Sequence, residues 1–158
     1  MPLNYEFEHD VESVFKLLTD PDFLVDRCLE LGELEASCDV DQKGDAAAVS
    51  MTRKLQRDLP GFLAKMMDPV QTIHIKEKWQ PDEEDGWTGE YAFEVEGQPV
   101  SISAKFELYP TDMGCCYSIE HRASARIPLL GRKIEKFIHT QAVEGCTAEL
   151  DYLREQLG

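Results

Sequence analysis

A chain of 158 residues with a hydrophobic fraction of 42% has the size and make-up of one domain around one core. Its formal net charge of −15 argues against nucleic-acid binding, which rests on Lys and Arg neutralising phosphates, and disfavours docking on anionic lipid. No stretch approaches the roughly 18 apolar residues of a bilayer span, and the start, MPLNYEFEHD, has neither the basic residues nor the apolar run of a secretory signal, so a cytoplasmic location is expected.

Leu3, Tyr5 and Phe7 alternate with Asn4, Glu6 and Glu8, which predicts a first strand with one buried face. Asp10 is placed to cap a short helix from Val11 to Leu18. Thr19-Asp20-Pro21 interrupts it, and Asp20 with Pro21 starts a second short helix that runs to Leu31 and stops at Gly32. Six strands follow at nearly even spacing. Their inward sets are Leu34, Ala36, Cys38, Val40; Val49, Met51, Arg53, Leu55; Ile73, Ile75, Trp79; Trp87, Tyr91, Phe93, Val95; Val100, Ile102, Ala104, Phe106, Leu108; and Cys115, Tyr117, Ile119, His121, Ala123, Ala125. Short turns between them predict antiparallel neighbours, and the clean alternation predicts one wet face and one covered face. The acidic run Asp82 to Asp85 lacks the spacing of a calcium loop and reads as a solvated hairpin tip.

From Pro128 to Leu157 the period changes. Leu130, Ile134, Phe137, Ile138, Ala142, Cys146, Leu150, Leu153 and Leu157 recur in steps of three and four, so one long amphipathic helix is expected, with Pro128 in its first turn. Such a helix needs a surface to cover its stripe, and the sheet supplies one.

This order of elements resembles the helix-grip fold of the START-type, pollen-allergen-like superfamily, and an uncharacterised bacterial subfamily within it. The resemblance spans residues 1–158 as a single domain and is carried by FEHDVESVFKLLTDPDFL, DLPGFLAKM and RIPLLGRKIEKFI. It implies an α+β architecture: a seven-stranded, curved antiparallel sheet wrapped around the C-terminal helix, two short helices after strand 1, and a cavity between sheet and helix that often holds an apolar ligand. These motifs belong to fold and length; none is a catalytic signature.

The inward parity carries few polar side chains: Arg53, Tyr91, Tyr117 and His121, with Gln141 beside the helix stripe. Carboxylates fall almost entirely on the other parity, so a paired acid and base is not expected among the strands. Arg53 suits either a ligand carboxylate or phosphate, or a salt bridge at the strand end, and His121 either proton transfer or a hydrogen bond in the cavity wall. Four scattered histidines, no phosphate loop and no nucleophile elbow give no metal or cofactor to expect. Five cysteines without a C-x-x-C pair read as free thiols. The segment Asp58 to Pro69 interrupts the strands; its Phe62, Leu63, Met66 and Met67 read as a lid or as a cap on the core. The expected ligand-binding set is Arg53, Phe62, Met66, Met67, Tyr91, Phe93, Phe106, Tyr117, Ile119, His121, Ile134, Ile138 and Gln141. The expected activity is binding or carriage of a small apolar or amphipathic, lipid-like molecule. The alternatives are a cyclase- or hydratase-like enzyme using the same cavity, and a protein-interaction module with a filled core.

Overall fold

A computed structural model describes residues 2–158. Seven strands, β1 (Leu3–Phe7), β2 (Glu35–Lys43), β3 (Ala46–Gln56), β4 (Val70–Pro81), β5 (Trp87–Val95), β6 (Val100–Thr111) and β7 (Gly114–Ala125), form one curved sheet in the order β1-β7-β6-β5-β4-β3-β2. Every pairing is antiparallel, and the first strand lies beside the last. Helices α1 (Val11–Leu18) and α2 (Pro21–Glu30) follow β1, the single turn α3 (Gly61–Ala64) sits between β3 and β4, and α4 (Gly131–Leu157) ends the fold. No helix among the described residues is long and apolar enough to cross a membrane.

The caps explain most of the boundaries. The Asp20 carboxylate accepts the backbone N–H groups of Asp22 and Phe23 at 3.0 and 3.3 Å, and Gly32, at φ 97°, ends α2 in the left-handed conformation that glycine adopts without strain. Asp10 holds the N-cap position of α1, yet its carboxylate takes the Ser13 hydroxyl rather than a backbone N–H. The long helix begins at Gly131, not at Pro128. Leu129 is fully exposed with a φ of 69°, and that left-handed residue turns the chain before the helix can start. β2 likewise starts one residue past Leu34, which is 50% exposed instead of facing inward. At the β4–β5 hairpin Asp82 accepts the N–H groups of Glu84 and Gly86, both at 2.9 Å, so the acidic tip builds its own turn.

Register divides the concave face into rows. One row runs through Ala47, Trp79, Gly89 and Phe106 to Ile119, and all but Ile119 belong to a solidly packed half of the core. Trp79 lies 4.5 Å from Phe106 between ring centroids, and Phe15 of α1 stacks on Trp87 at 3.9 Å. Gly89 is the gap that permits this: a Cβ there would lie 2.2 Å from the Lys78 carbonyl oxygen and 2.4 Å from the Phe106 ring. Above the remaining rows the packing changes. Of the eight stripe residues that fall within the long helix only Ile134, Leu150 and Leu153 are fully buried; Phe137, Ile138, Ala142 and Cys146 are only partly covered. The helix is sealed near its two ends and stands off the sheet in its middle.

Candidate ligand cavity

Beneath the middle of α4 lies a cavity of about 540 Å³, within the range of roughly 300–1,000 Å³ typical of small-molecule sites. Its floor is the concave sheet: Met51, Ile75, Tyr91, Phe93, Ile102 and Tyr117. Its roof is α4, from Phe137 to Leu150. Exposed lining residues mark the mouth: Leu31 and Gly32 after α2, Gln56 at the end of β3 and Asp58 beyond it, and Gly145 and Ala148 on α4. A Cβ built on Gly145 would meet nothing within 4 Å, so this glycine faces open space.

Of the expected ligand-binding residues, Arg53, Met67, Tyr91, Phe93, Tyr117, Ile119, Ile138 and Gln141 line the cavity. Phe62, Met66, Phe106, His121 and Ile134 do not. Phe106 belongs to the packed aromatic half and Ile134 to the seal at the start of α4. Phe62 lies 4.2 Å beneath the Lys133 ammonium and so ties the interruption to the first turn of α4. Met66 is 39% exposed, whereas Leu63 and Met67 turn inward; the segment caps the core and contributes Leu59 and Met67 to the cavity wall. His121 is buried edge-on to Tyr91, 5.8 Å between ring centroids. Burial, with the nearby His139, pushes its pKa down to about 4, so it is neutral near pH 7.

The polar end of the cavity is richer than the strand alternation foretold. Arg53 is engaged by Glu33, through its Nε at 2.9 Å and through Nη2, and by Glu149 at 3.1 Å. The other Glu149 oxygen forms an ion pair with Arg27 at 3.1 Å. The four side chains, none more than a fifth exposed, form one neutral network joining α2, the loop after it, β3 and α4. Burial opposes the Glu149 charge, but Arg27 and Arg53 outweigh it and hold the carboxyl below its ordinary pKa. Arg53 is therefore neither a free ligand grip nor a salt bridge on the outside: its charge is already spent on two carboxylates.

Glu77 also lines this cavity, on the inward parity between Ile75 and Trp79, an exception to the outward placing of the strand carboxylates. It lies directly across from Tyr91 in the β4–β5 pairing. No cation among the described residues comes within ion-pair distance, and desolvation, only partly countered by Arg27 and Arg53, raises its pKa to about 7. At the far end Arg57 follows β3. Its Nε donates to the Gln71 side-chain oxygen at 3.1 Å, and the Gln71 amide in turn donates to the Asp68 carbonyl at 3.3 Å.

Comparison with known proteins bears on the fold. A family model described as protein of unknown function (DUF2505) matches residues 3–157. Uncharacterized proteins of Mycobacterium tuberculosis and Mycobacterium bovis are each 23% identical over 156 residues, covering 93% of this chain and 90% of theirs. Among solved structures, a protein from Chromobacterium violaceum superposes with a TM-score of 0.58 at 15% identity, over 99% of this chain and 94% of its own. A conserved protein from Geobacillus kaustophilus gives 0.53 at 12% identity, over 98% and 91%.

Proposed function

We propose that this chain, which belongs to the DUF2505 family, binds or carries a small apolar or amphipathic molecule between its sheet and its long helix. The observation that carries this reading is the stand-off of α4: apolar side chains at Phe137, Ile138, Ala142 and Cys146 are left only partly covered over a cavity of about 540 Å³. Burying such surface against a ligand is favourable by about 25 cal/mol per Å². The architecture supports reading the fold as a helix grip of the START-type superfamily, and five free thiols support a reducing, cytoplasmic compartment.

Ala142→Phe tests the reading. If the cavity takes ligand, the added ring is accommodated, the thermal midpoint stays within a few degrees, and a neutral environment-sensitive apolar dye no longer binds. Glu107→Gln, on the wet face of β6, leaves dye binding unchanged. Destabilisation by about 1–3 kcal/mol, with no dye binding even in the parent, means a packed core and favours the interaction module.

Glu77 favours a second reading. A carboxyl titrating near 7, lining a cavity together with its cross-strand partner Tyr91, has the properties of a general acid or base for a cyclase- or hydratase-like reaction. Native mass spectrometry of the protein purified from cells separates the two: a carrier yields an unchanged molecule, an enzyme a substrate that is converted on incubation.

A further inference from the structure

The cavity holds three arginines, and they are not equivalent. Arg27 and Arg53 are neutralised by Glu33 and Glu149 within the network. Arg57 has no carboxylate within ion-pair distance among the described residues. Its one side-chain partner among the described residues is neutral Gln71, which is itself only 5% exposed and anchored to the Asp68 carbonyl. Its backbone is fixed as well, with the Arg57 N–H donating to the Pro69 carbonyl at 2.8 Å. A buried glutamine thus holds the guanidinium by Nε and leaves both terminal nitrogens unbonded at the rim of the cavity. Burial and the neighbouring Arg53 lower its pKa, as expected of a cation lacking a counter-charge.

Taking the cavity as a ligand site, as proposed above, we infer that Arg57 is the head-group site for an alkyl carboxylate, whose chain lies along Phe93, Ile102, Tyr117 and Ile119. The paired terminal nitrogens of a guanidinium match the two oxygens of a carboxylate. A phosphate monoester, carrying about −1.5 to −2 near neutrality, would overfill a site with one free positive charge that also has Asp58 at its rim. Position agrees with tail-first entry. Arg57 is among the residues following β3 that form the mouth, while Glu77 pairs with Val49, eight residues earlier on that strand, or roughly 26 Å at about 3.3 Å per residue. The head group is thus kept away from the interior carboxyl.

The test uses the full-length chain, dodecanoate, and dodecanol as its uncharged match, by isothermal titration at pH 8. The inference expects the parent to prefer dodecanoate, and Arg57→Met to lower dodecanoate affinity about 10- to 100-fold while leaving dodecanol unchanged. Gln71→Glu, which would neutralise Arg57 in place, should cause the same selective loss, and it decides the matter if Arg57→Met does not fold. Equal binding of the two probes by the parent, or a dodecanoate preference that survives both substitutions, overturns the head-group site and leaves the cavity reading standing. Failure of the parent to bind either probe or the neutral dye overturns both.

Discussion

Glu77 shows how one residue sets a pH response. Its pKa is about 7 in the fold against an ordinary 4.5, so the folded state holds this proton more tightly than the unfolded chain. The associated stability is fully present below pH 4.5 and is lost as the pH rises through 7. His121 acts oppositely. Lowered from 6.5 to about 4, it favours the fold above pH 6.5, and that contribution disappears as the pH falls to 4. The two windows overlap, so the parent should show a shallow profile between pH 4 and 7. Glu77→Gln removes one side of the balance. Stability of that variant, followed by urea titration, should climb with pH across this range, and at pH 8 it should exceed the parent by up to roughly 3 kcal/mol, since each pKa unit is worth about 1.36 kcal/mol. Parallel profiles for the two proteins would remove Glu77 from the account. The residue was legible only in part: flanked by Lys76 and Lys78 it reads as a solvated charge run, whereas parity with Ile75 and Trp79 marks it as inward.

At the scale of elements, the question is what holds α4 on the side where it leaves the sheet. Toward β1, the Tyr5 hydroxyl donates to Asp151. Toward α2 and β3, the link is Glu149, gripped by Arg27 and Arg53. Breaking a buried pair by removing one partner costs roughly 3–5 kcal/mol, because the other charge stays desolvated. Glu149→Gln should fall near the lower end, because its amide oxygen still accepts a hydrogen bond and Arg53 keeps Glu33. Arg27 bears the loss, being 7% exposed with no other ion-pair partner among the described residues. The double substitution Arg27→Met, Glu149→Leu should recover much of that stability in chemical denaturation, which simple additive damage would not. These partners left faint traces in sequence: Arg27 lies on the stripe of Leu24 and Cys28, and Glu149 three residues after Cys146. Arg57 and Gln71 left none, since their meeting depends on how the chain crosses from β3 to β4.

For the whole molecule, alternation and turn chemistry were enough to predict seven antiparallel strands, two short helices and a long final one. The space between them was not readable, because a periodic stripe looks the same whether its middle meets side chains or a void. Truncation before Gly131 should abolish cooperative thermal unfolding, followed by calorimetry, because the concave face would lose Ile134, Leu150 and Leu153 together. A sharp transition in that fragment would mean the sheet and the short helices fold alone.

The division of the concave face into a solid half and a hollow half has a further consequence, for mutational drift. Changes at Trp79, Gly89 or Phe106 strike close-packed neighbours and threaten the fold itself. Changes at Ala142, Gly145 or Phe137 border open volume, so they alter the shape and polarity of the interior at small thermodynamic cost. A lineage built on this plan can therefore remodel its interior through single, individually tolerable steps, while the aromatic half keeps the scaffold above its stability threshold.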